Sequence, residues 1–556
     1  MPEAIDDLAP VAHALAEHSE DPDLSQFLSS LEIKDATPAC HRADTWTDIR
    51  VFCATMRMAP ERPPGCDRIA NADCPAVHRF PNTSVQSAIL AHSCCRRILV
   101  PKPHPTEESV MPLTKDLGQF VADLSPNRLP EEAVRVARMG ITDVIGTMIA
   151  GRKEDCVRIM REVFSPGDGP ATITFGPDKG PAPEVAWING TAAHALDYDD
   201  VGLRGHPSTV LVPAILAEAE TLGSSGADVI VAYVAGYETW AELFRRDNGL
   251  LHKKGWHPTG LYGAVGAAAA CASLRRLDAD KAAQAIALGA SQAGGLMANF
   301  GTMTKPFHAG KAAHAGIMAA RLAEAGFTAS TDALEHPQGF LSAISVEGNP
   351  DRASETKAGK EWAILSQGIG IKKYPTCYCT HRAIDCVLDL VADSPIKADE
   401  VKKVTVNISD YFATILRNHQ PQTGLAAKFS MEFAMASGII ARRVGLRELT
   451  DTFVQRPDVQ ALMRKVEIVT TTQYDPELAG GAPADSVAVE LASGKTVAGE
   501  PVARATGHAS RPLSEAQLYE KFADCLEVGA SDIPADILFR RLQSLQSIGA
   551  RELTLQ

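Results

Sequence analysis

The sequence predicts a mainly α-helical protein, in which a large all-helical domain is accompanied by a smaller α+β domain. Three observations carry this. From Met111 a stretch of about 220 residues repeats apolar side chains at i, i+3 and i+4 with almost no strand signal. Near residue 370 the apolar period shortens to two, the period of a half-buried strand. After Pro512 the helical period returns.

Taken in order, Leu113–Ser125 and Leu129–Ala150 read as amphipathic helices, the second opened by Pro130-Glu131-Glu132, a favourable first turn. Helical patterns follow at Val185–Tyr198, Thr209–Leu222, Ala227–Phe244, Thr259–Leu277, Asp280–Met297 and Lys311–Ala325, with Gly, Ser or Pro between them. Thr331–His336 reads as one more helical turn. The Ala- and Gly-rich segments, such as Gly263–Ala272, permit helices to approach closely. In the α+β part, Ile384–Ala392 and Phe429–Arg443 read as helices. Val401–Ser409 and Val466–Thr471 read as strands, and Ser486–Leu491 and Lys495–Val502 flank a hairpin signal at Ala492-Ser493-Gly494. Glu515–Cys525 and Ala535–Leu545 return to helix.

Residues 1–110 have a different texture. They are rich in proline, carry six of the 12 cysteines and show few periodic apolar segments. They read as a poorly ordered extension, or as a region preceding a natural start near Met111. The cysteines are not a disulfide framework, because the chain is large and shows no secretory signal.

Composition narrows the function. With 54 basic against 68 acidic residues and a net charge of −14, the chain lacks the basic face that phosphate neutralisation demands, so nucleic acid is not an expected partner. No apolar run approaches the ~18–20 residues that span a bilayer, so no membrane partner is expected. A cytoplasmic enzyme is the default expectation.

Four motifs offer chemistry. The first is His194-Ala-Leu-Asp197-Tyr198-Asp199-Asp200 with His206-Pro207-Ser208. Three carboxylates in four residues repel one another; such a cluster suits a metal, a solvated helix end, or proton chemistry with one pKa raised. The second, Gly255-Trp256-His257-Pro258-Thr259-Gly260, places His257 at a helix N-terminus, where the dipole depresses its pKa; a core histidine bonded to a carbonyl is the other reading. The third is Thr302-Met303-Thr304-Lys305-Pro306-Phe307-His308, where Lys305, held extended before Pro306, suits carboxylate binding or simple solvation. The fourth is Lys372-Lys373-Tyr374-Pro375 with Arg382, a candidate anion clamp. Cys377, Cys379 and His381 nearby are metal-ligand types, but no fourth ligand has matching spacing.

Acids, bases and cations are therefore present, without an evident nucleophile or cofactor motif. That inventory suits proton abstraction or delivery α to a carboxylate of a small polyanionic substrate.

The segments HALDYDD (194–200), GHPS (205–208), GWHPTG (255–260), TMTKPFHAG (302–310), KKYP (372–375) and AKFSMEF (427–433), in that order, resemble the MmgE/PrpD family over residues 113–556. The family includes 2-methylcitrate dehydratase, cis-aconitate decarboxylase and iminodisuccinate epimerase. The resemblance implies a helical domain spanning 111–370 and completed by 506–556, with an α+β lid at 371–505. It also implies a site between the two, a homodimer, and no metal or organic cofactor. By motif match the catalytic residues fall on Asp197, His206 and His257, and the substrate-binding residues on Lys305 and Lys372. The expected function is a cofactor-free lyase acting on a small di- or tricarboxylate, as a 2-methylcitrate dehydratase-like or cis-aconitate decarboxylase-like enzyme. The alternatives are an isomerase that epimerises an imino- or amino-dicarboxylate, and a catalytically silent binding protein on the same scaffold. Val201 and Phe433 depart from the Thr and Tyr of the decarboxylases, and losing both hydroxyls weighs against cis-aconitate as substrate; the loop from Asp200 to His206 is also one residue shorter.

Overall fold

The computed structural model of the chain describes residues 112–247, 249–394 and 396–554. The expectations for residues 1–110 and their cysteines lie outside that range. Among the described residues the chain is mainly helical, with small sheets.

The first helices are α1 (Leu113–Asp123), α2 (Glu131–Gly151) and α3 (Asp155–Phe164). Pro130 precedes α2, and Glu131 and Glu132 sit in its first turn, where the helix dipole favours negative charge. A two-residue antiparallel pair, β1 (Ala171–Thr172) and β2 (Lys179–Gly180), leads to α4 (Ala182–Ala195). Then come α5 (Ser208–Leu222), α6 (Gly226–Arg245), α7 (Pro258–Leu274), α8 (Ala279–Ser291) and α9 (Thr304–Glu324). A capping box between Ser225 and Asp228 starts α6. Nearly every residue of α7 is buried; its Ala- and Gly-rich surface is apolar on all sides, as a central helix requires.

The α+β part begins with α10 (His381–Asp393) and holds a four-stranded sheet in the order β4-β3-β5-β6. Strand β3 (Val401–Ser409) runs parallel to β4 (Val466–Thr471), with Val404 opposite Val466. It runs antiparallel to β5 (Ser486–Leu491), with Val404 opposite Val489, and β5 pairs with β6 (Thr496–Ala498). Helix α11 (Met431–Ala441) lies in sequence between β3 and β4. The chain closes with α12 (Glu515–Gly529) and α13 (Ala535–Gln543).

Two main cores result. One draws on residues from Leu113 to Ile371 and again from Leu513 to Leu553; the other runs from Tyr374 to Val489 and also takes in Phe300. Phe300, between α8 and α9, thus inserts from the helical part into the second core.

Three expectations for the elements are corrected. The helix expected at Asp280–Met297 stops at Ser291, because the chain turns through Gly294 and Gly295, the latter at φ +155°. Residues 331–336 form turns, and the short helix comes later, at Phe340–Ile344. Helix α9 starts at Thr304, so Lys305 is helical and not extended. Pro306 is tolerated there because an N–H in the first turn has no helical acceptor to lose.

Candidate active site

The C-terminus of α4, the N-terminus of α9 and the N-terminus of α7 converge on one buried cluster. Two glycines permit it. A Cβ on Gly190 of α4 would lie 2.7 Å from the Gly310 Cα of α9, and one on Gly310 would lie 2.1 Å from the Trp187 carbonyl oxygen. The helices therefore touch backbone to backbone.

Asp197 sits at the centre. The chain leaves α4 through Asp197 in the left-handed region, at φ +52°, a conformation short polar side chains tolerate. Its carboxylate is met by two lysines. Lys305 Nζ donates to Asp197 Oδ1 at 2.6 Å, and Lys372 Nζ donates to the same oxygen at 2.9 Å and to the Asp197 carbonyl oxygen at 2.8 Å. Lys372 has no exposed surface and Lys305 only 4%. Burial raises the Asp197 pKa, but the charges of Lys305 and Lys372 override it and hold the carboxyl well below the usual range. Burial would lower Lys372, yet Asp197 and Asp199 keep it raised. The Lys305 ammonium also lies 5.4 Å from the ring centroids of both Phe300 and Phe429, a cation–π arrangement.

The segment 197–200 divides its three carboxylates among separate partners. Asp199 Oδ1 accepts from His194 Nδ1 at 2.8 Å, and Asp199 Oδ2 lies 2.9 Å from His206 Nδ1. Burial raises Asp199, but His194 and His206 hold it well below the carboxylate range. Asp200 accepts from the Ser208 backbone N–H at 3.2 Å and its hydroxyl at 2.7 Å, at the start of α5. Burial pushes Asp200 well up, with Asp199 and Asp143 adding to it. Asp200 is thus the raised carboxyl of the set, and it serves the fold. Val201 exchanges backbone hydrogen bonds with Gly370 at 2.8 and 2.7 Å, which ties this segment to the strand-like run carrying Lys372.

Four imidazoles, those of His206, His194, His257 and His308, form a chain that starts beside Asp197. His206 Nε2 lies 4.0 Å from Asp197 Oδ1, while its Nδ1 donates to the Asp200 carbonyl oxygen at 2.8 Å. His257 is the N-cap of α7, as its motif predicts. Its ring lies near-parallel to His194 at 5.9 Å, and its Nδ1 is 3.1 Å from His308 Nδ1. His194 is 4.5 Å from His206, centroid to centroid. All are kept neutral. Burial lowers His194 to about 3 and His308 to about 4, and puts His257 well below its ordinary value, with the charge of Lys305 reinforcing all three. For His257 the causes are burial and a neighbouring cation, where the sequence suggested the helix dipole.

All five residues read from the sequence therefore meet. The anion clamp of Lys372, Lys373 and Arg382 does not form. Lys373 is largely exposed, and Arg382 donates to Asp485 at 3.0 Å inside the second core. Phe433 is also fully buried in that core, 6.2 Å from Phe453. Four further residues complete the cluster: His194, Asp199, His308 and Lys428, the last donating to the Ala195 carbonyl oxygen at the end of α4 at 2.8 Å. Each lies inside a motif, but its role depends on contacts the spacing does not show.

His194, Asp197, Asp199 and His206 each bring a ligand-type atom to within 4.8 Å of the others. The donor types would suit a divalent cation. Two ammonium groups already on Asp197 oppose one, since like charges at such distances repel strongly in a buried site.

The MmgE/PrpD N-terminal domain matches residues 115–353, and the MmgE/PrpD C-terminal domain matches residues 374–538. Cis-aconitate decarboxylase of Homo sapiens is 27% identical over 431 residues, covering 74% of this chain and 87% of the relative. The Mus musculus enzyme is 26% identical over 434 residues (74% and 86%), and that of Aspergillus terreus 26% over 392 residues (66% and 80%). Both family domains, matched in order over most of the chain, show that the chain belongs to the MmgE/PrpD family.

Proposed function

We propose that the protein is a cofactor-free lyase that moves a proton at a carbon α to a carboxylate of a small di- or tricarboxylate. The observation that carries this reading is the pair of buried lysines on one aspartate. With neutral imidazoles, the lysines Lys305, Lys372 and Lys428 stand against the ionised Asp197 and Asp199, which leaves one positive charge in excess in a buried site, so a substrate carboxylate is attracted and its enolate-like intermediate stabilised. Lys305 and Lys372 are the carboxylate-binding groups. His206 and His257, neutral at physiological pH, can each take a proton at a free ring nitrogen. Asp197 orients the lysines, and gains basicity once a substrate carboxylate draws them away. The excess cation supplies the polarisation a metal would otherwise bring.

Dehydration of a hydroxytricarboxylate and decarboxylation of cis-aconitate, the reaction named for the relatives, both use this core. Epimerisation of an imino- or amino-dicarboxylate is a second reading, supported by two imidazoles, His206 and His257, near one carboxylate. Proton NMR in deuterated water with citrate, 2-methylcitrate, cis-aconitate and amino-dicarboxylates separates them. Net loss of water or carbon dioxide identifies a lyase. Deuterium exchange with inversion and no net loss identifies the isomerase. Neither exchange nor conversion across the panel, or full activity retained in His257→Ala and Lys305→Ala, overturns the proposal.

A further inference from the structure

His194 is not explained by proton transfer alone. Its ring is 1% exposed, and its Nδ1 donates to Asp199 Oδ1 at 2.8 Å. Asp199 is a carboxylate, an acceptor only, so the hydrogen resides on Nδ1 and the neutral ring presents a bare lone pair at Nε2. That nitrogen is buried and has no hydrogen-bonding partner in the protein. Asp197 Oδ2, in the same cluster, is a second buried acceptor without a protein donor. The nearby ammonium groups point elsewhere, Lys305 and Lys372 to Asp197 Oδ1 and Lys428 to the Ala195 carbonyl oxygen, and no side chain donates to His194 Nε2. Burying an acceptor without a donor is costly, and natural sites keep such atoms where a ligand supplies the hydrogen.

The location fits a ligand contact. The His194 ring lies between those of His206, at 4.5 Å, and His257, at 5.9 Å. It is therefore flanked by both candidate proton carriers, and Asp197 joins the same cluster. The lysines satisfy carboxylates, which donate nothing. The chemistry missing from a carboxylate-only ligand is an O–H.

We propose that His194 is a substrate-binding residue whose Nε2 accepts a hydrogen bond from the hydroxyl of a hydroxycarboxylate, with Asp199 holding its ring in the accepting tautomer. The proposal rests on the carboxylate-site reading above and adds to it the group that distinguishes a hydroxy acid from its deoxy or unsaturated counterpart.

Calorimetric binding of citrate and of tricarballylate, the same tricarboxylate without the hydroxyl, to the full chain tests it without requiring turnover. The wild type is expected to favour citrate by about 5- to 50-fold, the range of a hydrogen bond to an otherwise unpaired buried acceptor. His194→Phe is expected to abolish that preference, read as the ratio of the two affinities, so that any general loss from leaving Asp199 without its partner affects both ligands alike. His194→Gln, which keeps a side-chain acceptor, is expected to retain part of the preference; circular dichroism confirms that each variant is folded. Equal affinities in the wild type, or an undiminished preference in a folded His194→Phe, overturn the assignment while leaving the carboxylate site intact. Binding of neither ligand overturns both.

Discussion

At the residue scale the site is an exercise in unequal pairing. Lys305 and Lys372 converge on a single oxygen of Asp197, and neither is exposed enough for water to screen it. Removing one lysine leaves Asp197 paired with the other, so the fold survives but the excess positive charge does not. Lys305→Met and Lys372→Met are each expected to weaken tricarboxylate binding at least about tenfold, with a modest change in melting temperature. The double variant strands a buried carboxylate, which costs about 3–5 kcal/mol, and is expected to melt far lower than either single one. Calorimetry and thermal denaturation of the three variants check this; additive melting shifts would show that the lysines do not share Asp197. Asp199 acts differently, by backing His206. Burial lowers the His206 pKa, Asp199 pulls it back up, and Lys305 and Lys372 lower it again. In Asp199→Asn the restoring charge is gone. If His206 is the base, the acid limb of the kcat/KM profile moves to lower pH and the plateau falls by about 10²-fold or more. An unmoved limb would assign the base elsewhere.

At the element scale the cluster depends on how α4 and α9 meet. The Gly190–Gly310 crossing leaves no room for a methyl group, because the atom facing Gly310 is the backbone carbonyl of Trp187. Gly310→Ala must separate the helices that carry Asp197 and Lys305. It is expected to cost about 1–3 kcal/mol and to lower kcat/KM through a lengthened Asp197–Lys305 contact. A variant of unchanged stability and activity would mean that the crossing is plastic. This crossing also marks what the sequence did and did not disclose. The helices and strands were legible because their apolar periods are local; β3, β4 and β5 span the expected residues. His257 at a helix N-cap was legible for the same reason. Lys305 was misread as extended because the rule for residues before proline describes average backbones, and the first turn of α9 overrides it. His194 and Asp199 stood in plain view in the first motif. Their pairing, and the orphaned His194 Nε2, depend on the chain reversing at Asp197 in a left-handed conformation. The role of Lys428 depends on a contact to Ala195, 233 residues away. Neither periodicity nor spacing encodes contacts of that kind.

At the scale of the whole molecule, burial sets the response to acid. Among the described residues no helix is long and apolar enough to cross a membrane, and the charges that matter lie inside. Burial holds His194 and His381 at about 3, and His252 and His308 at about 4, against about 6.5 in an unfolded chain. As pH falls below 6.5 the unfolded chain takes up protons that the folded one refuses, and stability is lost. Burial also pushes Glu238 and Asp485 up to about 7 and Asp143 to about 6. Those three take up protons first in the folded state, so they add stability as pH falls from 7 towards the ordinary carboxylate range near 4. Those four losses, joined by His206 and His257, and those three gains, joined by Asp200, therefore oppose one another between pH 6.5 and 4. Below pH 4 the gains are complete, whereas His194 and His381 continue to lose. There Asp197, held low by Lys305 and Lys372, and Asp199, held low by His194 and His206, begin to lose as well, each group contributing up to about 1.4 kcal/mol per pH unit. The melting temperature is expected to stay within a few degrees from pH 7 to 5 and to drop steeply below 4. An even decline beginning at pH 7 would mean that the histidines titrate without the opposing carboxyls. A melting temperature unchanged down to pH 3 would mean that the buried aspartate–lysine and aspartate–histidine pairs contribute nothing to holding the site together.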